Sequence, residues 1–277
     1  MSTIAIRPIV RFEAGRRTPV REELAELAGS VYLLENLVRR DLTVRYKRSV
    51  LGFFWSLLNP LLLMAILVIV FKSFFRFAID HYEIYFLSEY LVWNFFSQST
   101  VTAMTSLAWN GTLMKRVRMP KTVFALATVT SGLVNLALSC LPLLVIMLIV
   151  GAPIRLAMLF LPISFLIIAA FTLGVALGLS ALSVFFDDVS QMYQVATMGM
   201  MYLTPILYPL SIIPAKYLPL VRLNPLIYLF ETARSPIYLG QLPDLHTLAL
   251  SVVLAIGSLL LGWTVFRRLS PKFFSHL

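Results

Sequence analysis

Six stretches of this 277-residue chain run for 20 to 33 residues without an Asp, Glu, Lys or Arg: 49–71, 90–114, 122–154, 156–186, 189–215 and 247–266. A helix rising about 1.5 Å per residue needs roughly 20 residues to cross the hydrocarbon of a bilayer. Each stretch therefore supplies one span, and none is long enough for two spans and a loop. Composition agrees: mean hydropathy is +0.86, 59% of residues are hydrophobic and 13% are charged. A soluble domain of this size cannot expose so little charge. The pattern predicts an all-α integral membrane protein with spans at about 51–71, 90–110, 122–150, 156–184, 189–208 and 247–266. Residues 1–30 form a polar lead-in, and 31–277 form one transmembrane domain.

Six spans put both termini on one side. Sorted by that topology, 17 of the 23 Lys and Arg residues fall with the termini and the loop after span two. The positive-inside rule makes that side cytoplasmic. No short apolar segment precedes residue 49, so no cleavable signal is expected. The net charge of +10 would suggest nucleic acid in a soluble protein. Here the cations flank apolar spans, so anionic lipid is the expected partner and nucleic acid is not.

Leu33–Pro60 passes from a basic amphipathic segment into the first span with no linker. Leu34, Val38 and Leu42 recur every fourth residue with Leu37 beside them, giving one apolar stripe. Arg39, Arg40, Arg45, Lys47 and Arg48 supply the cationic side, with Tyr46 among them. Such a helix lies in the headgroup layer, its stripe in acyl chain. The loop Asn110–Thr122 carries Lys115, Arg116, Arg118 and Lys121 interleaved with Leu113, Met114, Val117 and Met119. That is the pattern of a short helix able to dock into a groove on a cytoplasmic partner, though the positive-inside bias alone also explains its charge.

Between Tyr202 and Gln241 six prolines exclude a continuous helix, yet the segment is too apolar for a free loop. A re-entrant hairpin satisfies both demands. Within it Glu231 and Arg234, three apart, can pair on one helical face. Aromatic residues crowd the start of span two. An interfacial belt accounts for most of them, but Tyr85, Tyr90, Trp93 and Phe96 are also candidates for stacking on sugar rings along a path. Gly174 and Gly178 form a small-residue face suited to close helix packing.

No Gly-Lys-Ser/Thr occurs, so the chain lacks a P-loop. No His/Cys cluster suggests a metal, no convergent acid and base suggests catalysis, and the span interiors lack the ionisable groups of ion-driven carriers. The single Cys140 can form no internal disulfide.

The run Arg39–Leu61, RRDLTVRYKRSVLGFFWSLLNPL, strongly resembles the entry segment of ABC type-2 exporter permeases that move polysaccharides, a group including O-antigen, teichoic acid and capsule exporters. MKRVRMP at 114–120, FFDDV at 185–189 and NPL at 224–226 agree, and the resemblance covers about residues 30–270. It implies a homodimeric permease in the bacterial inner membrane, paired with two copies of a cytoplasmic ATP-binding subunit that holds ATP and Mg. This chain would bind no cofactor and catalyse nothing. By the same resemblance residues 31–48 are an interfacial gate helix, 113–121 a coupling helix, and 209–240 external re-entrant helices over the path of a lipid-linked polysaccharide, O-antigen being the leading type. Two other readings are an ion-driven carrier and a membrane-embedded glycan or lipid enzyme.

Overall fold

The structure is a computed structural model that describes residues 20–46, 54–74, 79–109 and 120–275. It is helical throughout, with no strand among the described residues. Two helices open it, α1 (Val20–Gly29) and α2 (Val31–Tyr46), followed by α3 (Phe54–Val68), which passes into a π-helical turn over Ile69–Phe74. Long helices follow: α4 (Tyr82–Trp109), α5 (Thr122–Val150) and α6 (Leu161–Ser183), the last preceded by a 3₁₀ turn at Leu156–Phe160. After α7 (Asp188–Leu203) the chain breaks into a 3₁₀ turn at Leu210–Ile212, the short α8 (Leu218–Val221), α9 (Pro225–Arg234) and a π turn at Ser235–Leu239. Helix α10 (Leu245–Leu269) and a 3₁₀ turn at Ser270–Ser275 end the described chain.

Among the described residues three helical stretches are long and apolar enough to cross a membrane: Thr122–Val150, Leu156–Ser183 and Leu245–Phe273. At about 1.5 Å per residue the first is roughly 43 Å long, more than the hydrocarbon thickness. Its residues Leu141, Val145, Leu148 and Ile149 are exposed, as lipid-facing side chains must be. Local chemistry sets the ends. Gly151 takes the left-handed conformation (φ 73°) and donates its N–H to Leu148 O, closing α5. Asn224 accepts from Leu226 N–H ahead of Pro225, and Asp244 accepts from His246 N–H, so α9 and α10 both start on capping side chains.

Helix α4 lies between α5 and α6, α6 lies along α10, and α9 rests on α4, α6 and α10. The α6–α10 seam is a glycine contact. A methyl group at Gly262 would overlap the backbone of Gly174, and one at Gly174 would overlap Ser258, whose hydroxyl donates to Phe171 O at 3.0 Å. The small-residue face seen in the sequence thus serves a contact within one chain.

Two sequence expectations are corrected. The aromatics at the start of α4 are not a lipid-facing belt: Tyr82, Phe86, Phe95 and Phe96 are buried in the principal core, because α9 and the chain after α7 cover the Tyr82 end while α5 packs on Phe95 and α6 on Phe96. The apolar stripe of α2 does not lie in acyl chain either. Leu37 is buried, and Leu33, Leu34 and Val38 pack with it against Leu107, Val123, Phe124 and Ala127. A protein surface of matching apolarity was available, and the stripe docks there.

Candidate functional site

Helix α4 carries the polar residues that lipid would reject, and the structure gathers them at two places. The first begins at Asn94. From there to Ser106, α4 presents Ser, Thr, Asn and Gln towards α2 and α5, and the three helices bound a groove of about 480 Å³. Its α5 wall includes Thr128, Ser131, Gly132 and Asn135, and its rim on α2 carries Arg40 and Asp41. Gln98 Nε2 donates to Asn94 Oδ1 at 2.7 Å. Gly132 leaves room here: a Cβ at this position would meet Ser99 Oγ and crowd the Phe95 ring. On its other flank the same stripe meets α7 at a second cavity of about 500 Å³, lined by Trp93, Ser97, Gln98, Gln194, Thr197 and Met201 among others. Gln98 and Thr102 border both.

The second place is the Tyr82 end of α4, where polar groups are buried and tied together. Arg234, at the end of α9, puts Nη2 2.6 Å from Glu89 Oε2, an ion pair whose angles fall outside hydrogen-bond geometry. Both side chains are almost wholly buried. The guanidinium lies over the Tyr85 ring at 4.0 Å and donates to Pro205 O at 3.0 Å. Tyr82 Oη donates to Leu207 O (2.9 Å), and Tyr85 Oη to Tyr208 O (3.0 Å). Asn224 Nδ2 donates to Thr204 Oγ1 (2.8 Å), and Ser164 Oγ to Thr232 O (2.7 Å). The broken backbone after α7 cannot satisfy its own carbonyls, and α4 and α9 satisfy them instead. The i,i+3 pairing of Glu231 with Arg234 does not form: Glu231 accepts from Ser235 Oγ at 2.9 Å, and Arg234 reaches across to α4. No local spacing encodes that partner, 145 residues away in sequence.

At the opposite end of the bundle, α1 and α2 are held by α5 and α10. Glu23 pairs with Arg267 Nε at 3.0 Å and accepts from Trp263 Nε1 at 3.3 Å. Lys121, just before α5, donates to Ser270 O and lies over the Phe273 ring, and burial lowers its ammonium to about 8. On α2, Arg39 pairs with Glu35 at 2.7 Å and Arg40 with Asp41 at 3.0 Å. Arg45 and Tyr46 close that helix, while Lys47 and Arg48 lie outside the described residues. So does all of Leu113–Met119. Of the four aromatic candidates, Tyr85 is buried under Arg234, and Phe96 is buried 6.0 Å from the Phe171 ring. Tyr90 is half-buried against Phe86, and Trp93 lines the cavity at α7. The groove residues themselves were visible in the sequence only as scattered polar residues within a span. Among the described residues no group of three His, Cys, Asp or Glu is placed to hold a metal ion.

Comparison with known proteins adds to this geometry. The sequence profile of the ABC-2 type transporter family matches residues 32–238. A Klebsiella pneumoniae protein named O-antigen export system permease protein RfbA is 30% identical over 245 residues, covering 87% of this chain and 93% of its own. A Myxococcus xanthus protein of the same name is 32% identical over 234 residues, 83% of this chain and 88% of its own. The capsule polysaccharide export inner-membrane protein CtrC of Neisseria meningitidis is 24% identical over 243 residues, 84% and 89% of the two chains.

Proposed function

This chain belongs to the ABC-2 type transporter family, and on that premise we propose that it is the channel-forming membrane subunit of an ATP-driven exporter of lipid-linked polysaccharide, of the O-antigen type. The observation that carries the reading is similarity to O-antigen export permeases along nearly the whole chain, in place of a match confined to one motif. Two copies of this chain form the conduit, and two copies of a separate cytoplasmic subunit bind ATP and Mg and drive it. Helices α3, α4, α5, α6, α7 and α10 are the six spans, with both termini in the cytoplasm. The orientation is supported by the distribution of Lys and Arg. The broken segment 209–240, tied to α4 through Arg234, acts as the external re-entrant cap. Helix α2 is the gate helix, with Arg39 and Arg40 on its cationic side, and residues 113–121 engage the ATPase.

Deleting the gene tests the reading: a lipid-linked glycan should accumulate on the cytoplasmic face, and plasmid-borne chain should restore it to the surface. Tagged chain should co-purify with a soluble ATPase. Replacing Arg116→Glu and Arg118→Glu should leave that ATPase hydrolysing while export stops. Normal surface glycan in the deletion strain would overturn the reading, and normal export by the doubly substituted chain would remove the coupling role from residues 113–121.

A further inference from the structure

The groove between α2, α4 and α5 is polar where a membrane bundle is ordinarily apolar, and hydroxyls and carboxamides line it. Thr128 Oγ1 donates to Phe124 O (3.0 Å), Ser131 Oγ to Ala127 O (2.8 Å) and Thr105 Oγ1 to Thr102 O (3.0 Å). Each hydroxyl commits its one proton to its own helix and keeps oxygen lone pairs facing outward. Beside these acceptors, Asn94, Gln98 and Asn135 add carboxamide N–H donors, so the lining carries both halves of a hydrogen bond. Phosphate oxygens only accept and would leave the hydroxyl oxygens of Thr128, Ser131 and Thr105 unused, whereas a ligand covered in O–H groups can both donate to these and accept from the carboxamides.

Ser99 points the same way independently. It is 3% exposed, it lines the groove, and its Oγ has no hydrogen-bond partner among the described residues. A buried hydroxyl without a partner is costly and uncommon, and a ligand that fills the groove removes the cost. Gly132 leaves the space into which this oxygen projects. The volume, about 480 Å³, falls within the roughly 300–1,000 Å³ of small-molecule sites. Residues 94–106 of α4 extend the groove along about 18 Å of helix, enough for more than one ring. At the α2 rim the Arg40–Asp41 pair adds both a donor and an acceptor at the mouth.

We propose that this groove is a carbohydrate-binding subsite within a single protomer, in which sugar hydroxyls donate to Thr128, Ser131 and Thr105 and pair with Ser99 Oγ. The proposal rests on the export reading above and deepens it: it places a short saccharide segment of the lipid-linked chain against α4 and α5.

A photoreactive benzophenone amino acid, introduced in place of Thr102 in the full-length chain and irradiated in cells that make the glycan, tests it. The adduct should carry carbohydrate. The same probe in place of exposed Val253 on α10 should give none. Adding Ser99→Ala, which takes away a hydroxyl and creates no clash, should lower the carbohydrate adduct at position 102 about fivefold. Adducts bearing phospholipid alone, equal carbohydrate labelling at both positions, or an unchanged yield with Ser99→Ala would each overturn the subsite. The deletion strain separates the two levels. If surface glycan still depends on the chain while no sugar is captured at position 102, the subsite fails and the export reading stands. If surface glycan persists without the chain, both fall.

Discussion

Between Tyr82 and Trp93, α4 meets protein on nearly every side, and its polar groups are spent on other segments: Tyr82 and Tyr85 on the carbonyls of 207 and 208, and Glu89 on Arg234. Between Asn94 and Ser106 the same helix borders two cavities, and Thr100, Thr105 and Ser106 donate their hydroxyls to α4 itself, with Tyr193 of α7 donating to Thr100 Oγ1 at 2.9 Å. One half is an anchor whose long-range polar bonds hold the irregular segment after α7 in place. The other is a surface with unused hydrogen-bonding capacity. Polar residues packed among apolar helices are costly in either case, so the contrast lies in what satisfies them: distant parts of the chain in the first half, and a ligand, on the inference above, in the second.

The anchor half should be the less forgiving. Arg234→Ala leaves Glu89 buried without its cation, and breaking one member of a buried pair costs about 3–5 kcal/mol. The variant should lose folded, detergent-soluble protein or melt far below wild type. The paired replacement Glu89→Leu with Arg234→Met removes both charges and should recover much of that loss. Were Arg234→Ala to melt like wild type, the anchor would not be holding the 204–208 segment. Tyr82→Phe comes next. It strands the Leu207 carbonyl in the interior, at about 1–3 kcal/mol, and should lower the melting midpoint with export retained at lower temperature.

How much of this contrast is written locally can be seen from these same residues. Helices α5, α6 and α10 follow directly from charge-free runs, because a helix of that length and apolarity has one stable environment. The start of α4 does not. Counting between charges set Glu89 as the border of a span, whereas the helix begins at Tyr82 and carries Glu89 inside it. Only the arrival of Arg234 from α9 makes that tolerable, and a pairing between positions 89 and 234 leaves no periodicity to find. The i,i+3 rule offered Glu231 in its place, a local answer to a non-local question. The stripe on α2 was legible as a stripe, but its partner was not: acyl chain and the apolar start of α5 attract the same side chains. Likewise Ser99, Ser131 and Gly132 are ordinary small residues in sequence, and become a groove wall only when α4 and α5 are laid side by side.

In the groove half the sign should reverse. Ser99→Ala removes a buried hydroxyl that has no partner among the described residues, so without glycan the melting midpoint should stay level or rise, by up to about 1 kcal/mol in stability. Differential scanning fluorimetry on purified full-length chain, beside Tyr82→Phe, makes the comparison directly. A drop as large as that of Tyr82→Phe would mean that Ser99 is structurally engaged, and the division of α4 into an anchoring half and a ligand half would fail.

The smallest effect belongs to α2, and it calibrates the others. Arg39 and Glu35 form an i,i+4 pair at 2.7 Å, but the arginine side chain is 75% exposed and the glutamate 53%. Water and salt screen such a pair, and its side chains give up rotamer freedom to hold it, so Arg39→Ala should change stability by no more than about 0.5 kcal/mol. What fixes α2 is Leu37, buried against the starts of α5 and the ends of α4 and α10. Export, by contrast, should respond to Arg39→Glu if the cationic side of α2 meets anionic headgroups: each basic residue near a charged membrane surface contributes about 1 kcal/mol, and a reversed charge changes that contribution twice over. An unchanged melting midpoint with reduced export, restored by Arg39→Lys, would assign the residue to the membrane surface. A fall in both would assign it to the helix.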